Sequence, residues 1–124
     1  MKELGRKLGE MEYDGLITDL TPKPQVRGGI IAKLEVSAVL KRGTLLGKDE
    51  DGLLTVYDGT NTPDCILCDD TEVGTTEDVK AATYTAGCFD PEKLTVANGY
   101  TITEGDKDNL RMRNIVFKAA APAV

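Results

Sequence analysis

Short apolar runs separated by glycine and acidic turns make up most of this chain, and few of them sustain a helical period. Between residues 29 and 39, Ile30, Ile31, Leu34, Val36 and Val39 read as a strand of mixed periodicity, and Leu40 to Gly47 as a second strand or its continuation. Asp49-Glu50-Asp51-Gly52 predicts a hairpin turn, because Asp-Gly supplies the positive φ values such turns require, with Leu53 to Tyr57 as the return strand. After a loop at residues 58–63, Cys65 to Cys68 reads as a short buried strand and Lys80 to Thr85 as another, ending at Gly87. Phe89 to Thr101 is loop-rich, with Leu94, Val96 and Ile102 expected to point inward and Asn98-Gly99 as a second turn. Thr103 stands three residues before Asp106, ahead of Leu110, Met112, Ile115 and Val116. That spacing predicts a helix over about 105–114, capped by Thr103, with carboxylates near its positive end. Ile115-Val116-Phe117 either completes it or forms a final strand.

The expected fold is therefore mainly β with one short C-terminal helix, a small loop-rich domain over residues 26–118 and a loose tail over 119–124. The first 25 residues differ in character. Charges intersperse with Leu4, Leu8 and Met11, and Gly5 and Gly9 each weaken a helix there by about 1 kcal/mol. Tyr13, Leu16, Ile17 and Leu20 then form a small apolar group, and Thr21-Pro22-Lys23-Pro24 favours an extended link. The whole segment reads as a flexible N-terminal arm. Its apolar group either packs back on its own domain or orders on a partner, donating main-chain hydrogen bonds to a foreign sheet edge.

With 124 residues, 40% of them apolar but only 5% aromatic and no Trp, a single modest core is expected. Oligomerisation is a common remedy for such a domain. The net charge of −6 is unevenly spread: ten acidic residues and no Lys or Arg lie between Asp49 and Asp78. Phosphates would meet like charge there, so direct nucleic-acid binding is not expected. Met1 to Asp14 lacks the apolar run of a signal peptide, and no stretch of 18 apolar residues predicts a membrane span. An odd number of cysteines, three, fits free thiols in a reducing cytoplasm.

Candidate chemistry is sparse. Cys65-Ile66-Leu67-Cys68 could be half of a zinc site or a redox pair, but the only further ligand of that kind is Cys88 and the chain has no His. Asp69-Asp70 directly after it would raise the thiol pKa rather than lower it. Small core cysteines are the plainer reading. Asp49, Asp51, Gly52 and Asp58 partly mimic a calcium loop, yet its first position is Gly47 and its flanks read as strands. No apolar setting singles out one carboxylate for acid–base work. Lys41-Arg42 reads as an exposed turn or a small basic contact. Neither a catalytic group nor a cofactor is expected.

The body resembles the head decoration proteins of tailed bacteriophages, the lambda-like family. Leu40-Lys41-Arg42-Gly43-Thr44-Leu45-Leu46-Gly47, Tyr57-Asp58, Ile66-Leu67-Cys68-Asp69-Asp70 and Thr83-Tyr84-Thr85-Ala86-Gly87-Cys88-Phe89 carry the resemblance, in family order and at family spacing across roughly residues 13–117. It implies a β-clip-like domain and a homotrimer on the three-fold and quasi-three-fold positions of the expanded head. Such a trimer would clamp neighbouring capsomers against the pressure of packaged DNA. It also implies that the arm orders on the major capsid protein, and Tyr13-Asp14-Gly15-Leu16-Ile17 resembles the opening of the family's arm. Tyr13, Asp14, Leu16, Ile17 and Leu20 are then the expected capsid-binding residues, on the outer surface of the virion. The expected alternative is a small cytosolic thiol or metal-binding protein using Cys65, Cys68 and Cys88.

Overall fold

A computed structural model describes residues 15–119. Among the described residues, nine strands and one α-helix follow in the order β1 (Ile17–Asp19), β2 (Gln25–Ile31), β3 (Ala38–Leu40), β4 (Leu45–Lys48), β5 (Leu54–Val56), β6 (Thr62–Leu67), β7 (Thr71–Val73), β8 (Val79–Phe89), α1 (Glu104–Arg111) and β9 (Ile115–Phe117). The fold is mainly β with one short C-terminal helix, as the apolar pattern predicts.

Strand β8 organises the domain. From Val79 to Ala86 it runs antiparallel to β2, and through Thr83 and Tyr84 it also pairs with β6. Strand β6 pairs with β4, β4 with β5, and β5 returns to β2 through the single parallel match Ile31↔Leu54. The five strands thus close on one another. Successive residues of a strand face opposite sides, so neighbours in sequence feed two separate cores. Leu46, Cys65 and Leu67 join Ile31, Leu54 and Val73 in one cluster. Leu45 and Ile66 join Leu16, Tyr57, Cys68, Tyr84, Phe89, Leu110 and Ile115 in the other. Both faces of β4 and β6 are buried, which is why these segments read as continuous apolar runs.

Beyond Ala86, β8 changes partners: Gly87–Phe89 pairs in parallel with β9, and Cys88 and Phe89 pair with β1. Gly87 makes the transition possible. Its φ of +147° is one that side-chain-bearing residues rarely adopt, and a Cβ there would stand 2.8 Å from the Phe89 ring. The β2–β8 register also slips between Tyr84 and Ala86, which face the consecutive Val26 and Gln25, and Tyr84 and Phe89, an odd number of residues apart, reach the same core with ring centroids 5.4 Å apart. The sequence suggests that Gly87 ends this strand; the structure carries it through to Phe89.

Helix α1 opens with a capping box: Thr103 Oγ1 accepts from the Asp106 N–H, and Asp106 accepts from the Thr103 N–H. It stops sooner than expected. The Arg113 and Asn114 N–H groups bond back to the Leu110 and Arg111 carbonyls, and Asn114 takes φ +67°, a left-handed conformation that turns the chain out of the helix. Ile115–Phe117 is then a strand. Leu94, Val96 and Ile102 pack against the larger core as expected.

Two further expectations are corrected. Leu40 to Gly47 is not one strand: β3 ends at Leu40, and a turn that gives the Gly43 N–H to the Leu67 carbonyl precedes β4. The flexible arm does not extend to residue 25. Leu16 is buried in the core, its carbonyl accepts from the Asp90 N–H at 2.8 Å, and Ile17 lies opposite Phe89. Burial of the Leu16 side chain, the packing of Ile17 on the same core and the backbone pairing with β8 together offset the entropy of ordering this segment. Any arm is therefore confined to residues before Gly15, outside the described residues. Among the described residues no helix is long and apolar enough to cross a membrane.

Candidate interaction surface

Of the expected capsid-binding residues, Tyr13 and Asp14 lie outside the described residues. Leu16 and Ile17 are taken up by the domain itself, and Leu20 is 69% exposed. Two further contacts pin this segment: Lys118 Nζ lies 3.1 Å from Asp19 Oδ2, and Thr18 Oγ1 lies 3.5 Å from Cys88 Sγ. The described chain begins at Gly15, near the 3-10 turn at Pro91–Lys93, where a Cβ on Gly15 would stand 3.6 Å from the Lys93 side chain.

Strand β2 is the most open part of the sheet. Gln25 through Gly28 are exposed, as is Ile30. Its only partner on the edge away from β8 is Leu54, opposite Ile31, so Gln25–Ile30 has no strand on that side among the described residues. The Thr83 hydroxyl reaches across to the Arg27 carbonyl at 3.0 Å. A groove of about 610 Å³ runs along this segment, with Arg27, Lys48 and Arg113 on its walls and Asp64 paired to Arg113 at 3.0 Å. An exposed strand edge and a shallow polar groove suit recognition of another polypeptide better than enclosure of a small substrate.

The second exposed apolar area belongs to a separate two-stranded ribbon, β3 with β7. Val39 is 48% exposed, and Val36 just before the ribbon is 78% exposed. Glu72 lies directly opposite Val39 in the register.

The three cysteines do not form a site. Cys65 and Cys68 are an odd number of residues apart along β6 and its end, so Cys65 enters one core and Cys68 the other. Burial, with Asp64 beside Cys65 and Asp69 beside Cys68, pushes both thiols up to about 12. Cys88 is buried against β1. Among the described residues, no group of three His, Cys, Asp or Glu side chains is placed to hold a metal.

Several acidic residues of the central segment accept from backbone N–H groups, Asp49 and Asp58 within their own turns and Asp70 and Asp78 from distant parts of the chain. Asp49 Oδ1 accepts from the Asp51 and Leu53 N–H groups, which fixes the hairpin and accounts for the apparent calcium-loop spacing. Asp58 accepts from Thr60, Asp70 from the Arg42 N–H and Asp78 from the Lys33 N–H. Of the basic pair, Lys41 faces solvent near Asp70, whereas Arg42 turns inward. Its Nη1 donates to the Cys68 carbonyl at 2.8 Å and to the Tyr84 hydroxyl at 2.7 Å, with the guanidinium over the Tyr84 ring.

The most heavily bonded carboxylate is Asp106, which the sequence marks only as a helix-cap residue. It accepts from the Tyr57 hydroxyl at 2.6 Å, from the Tyr100 hydroxyl and from the Thr103 N–H. Burial alone would raise its pKa; these bonds outweigh burial and hold it below the usual carboxylate value. Tyr57 is raised by its own burial and then by this partner. With Tyr57 and Tyr100 edge to face at 5.5 Å, the cluster ties the loop before α1 to the end of β5. Its groups are saturated by one another, so it reads as a structural node rather than a reaction centre.

No protein-family model matches the chain, and a search of curated proteins finds no significant match.

Proposed function

We propose that this protein is a non-enzymatic decoration protein of a tailed-phage head. In this reading it binds as a homotrimer at three-fold and quasi-three-fold sites of the expanded shell. There it clamps neighbouring capsomers from the outside against the pressure of packaged DNA. Its partners are the major capsid protein and two further copies of itself, with no part for nucleic acid or membrane.

One observation supports the reading most. The segments that carry the family resemblance, far apart in sequence, meet in one place. Arg42 from the first bonds to Cys68 from the third and Tyr84 from the fourth, while Leu45, Ile66 and Phe89 share the core beneath with Tyr57 from the second. Residues that resemble one family at scattered positions are thus the residues that build one structural unit. The role also suits a domain whose exposed features are an open strand and apolar patches. Three docking points on a rigid trimer would turn weak contacts into strong avidity, since each later contact forms at high effective concentration. The alternative thiol or metal reading needs Cys65, Cys68 and Cys88 together at an accessible point, and no observation favours it.

The test is sedimentation with purified heads. The protein is expected to pellet with expanded heads and stay in the supernatant with unexpanded ones. Failure to bind either would refute the proposal.

A further inference from the structure

Two exposed apolar residues sit directly opposite a charge in their strand register, and the two charges are of opposite sign. On the outer side of β2 and β8, Ile30 pairs with Lys80; on the β3–β7 ribbon, Val39 pairs with Glu72. Ile30 and Val39 are 42% and 48% exposed, and Lys80 and Glu72 are both exposed. Neither Lys80 nor Glu72 has an ion-pair partner among the described residues. Directly opposed residues on one face of a strand pair stand close enough to act as a unit, so each pair presents an apolar contact with one charge beside it.

We infer that the Ile30–Lys80 face of one copy docks on the Val39–Glu72 face of the next. The occupant is a second copy of this chain because the complement of each patch, in both charge and apolar character, is carried by the chain itself. The two patches lie on separate sheets, and the contact is taken as head to tail, each copy giving one patch to the copy before it and the other to the copy after it. A head-to-tail contact is satisfied everywhere only when the ring closes. That the ring holds three copies rests on the function proposed above; which surfaces meet does not. Apolar contact supplies the attraction, and the Lys80–Glu72 pair across the boundary sets the register and rejects like-sided docking.

Charge exchange tests this directly. Lys80→Glu and Glu72→Lys are each made alone and together in the full chain, and the mass in solution is followed by light scattering across a dilution series. Circular dichroism confirms that each variant is folded, which is expected because both positions are exposed. The wild-type protein is expected at about three times its chain mass of 13.3 kDa. Each single exchange should weaken assembly at least tenfold, and the double exchange should restore most of it. If the wild type is trimeric and the single exchanges leave it so, this interface is wrong while the trimer stands. Weakening by the single exchanges without recovery in the double variant would also overturn the direct pairing. A monomeric wild type would overturn the trimeric reading and this inference with it.

Discussion

Asp106→Asn keeps the shape of the side chain and removes the charge on which Tyr57, Tyr100 and the Thr103 N–H converge. Hydrogen bonds to a charged group contribute roughly 1.5–3 kcal/mol each, but three donors on one carboxylate do not add. An amide can accept at one atom only, and its NH₂ then faces a donor. The variant should lose roughly 2 kcal/mol, and Asp106→Ala about 3–5 kcal/mol because the buried Tyr57 hydroxyl is left without its acceptor. For a domain of this size the Asn variant should melt roughly 8 °C lower. The sign of the pH dependence follows from the lowered pKa. A carboxyl held below its unfolded value of 3.8 contributes stability that is fully present above that value and is lost as pH falls through the folded one. Urea unfolding followed by circular dichroism should therefore show a steady gap between wild type and Asp106→Asn from about pH 7 to about pH 5. The gap should narrow below about pH 4. Equal stability at neutral pH, or a gap unchanged down to about pH 2.5, would refute the reasoning.

Other consequences are more local. In the folded protein at about pH 8, none of the three thiols should react quickly with a thiol reagent, and all three should titrate after unfolding; rapid reaction of the native state would contradict their burial. Gly47→Ala would place a Cβ 2.1 Å from Asn61 Oδ1 and 3.0 Å from the Tyr57 ring, and should cost about 1–3 kcal/mol in denaturant unfolding. Leu16→Ala should cost about 2–5 kcal/mol, whereas Leu20→Ala should leave stability nearly unchanged. Removal of residues 1–14 should leave the domain folded and abolish head binding. Removal of residues 1–20 should also destabilise the domain, so a melting curve separates the two deletions.

Local signals survived the passage from sequence to structure best. The Asp49–Gly52 hairpin and the Thr103–Asp106 cap are decided by hydrogen bonds within four residues, and both appear as expected. Long-range decisions were not legible. Strands β1 and β7 are three residues each, too short to show a period, and both exist because another strand templates them. Leu16 reads as part of a flexible arm because a charged, glycine-containing stretch precedes it and prolines follow; the core it joins is built by Leu45, Ile66, Phe89 and Ile115, all distant in sequence. Asp106 could be read as a helix cap, but Tyr57 and Tyr100 reach it from outside the helix. The exposed apolar residues of β2 and β3 carry no local mark at all, since a strand that docks on a partner and one that fills a core share the same composition. Their register against Lys80 and Glu72 becomes visible only once the pairing is known.

The central claim is that this small β domain holds a shell together without covalent chemistry. DNA-filled, expanded heads lacking the protein, heated with and without it added back, test that claim most directly. The account predicts that bound protein raises the temperature at which DNA escapes. Bound protein that leaves the release temperature unchanged would contradict it.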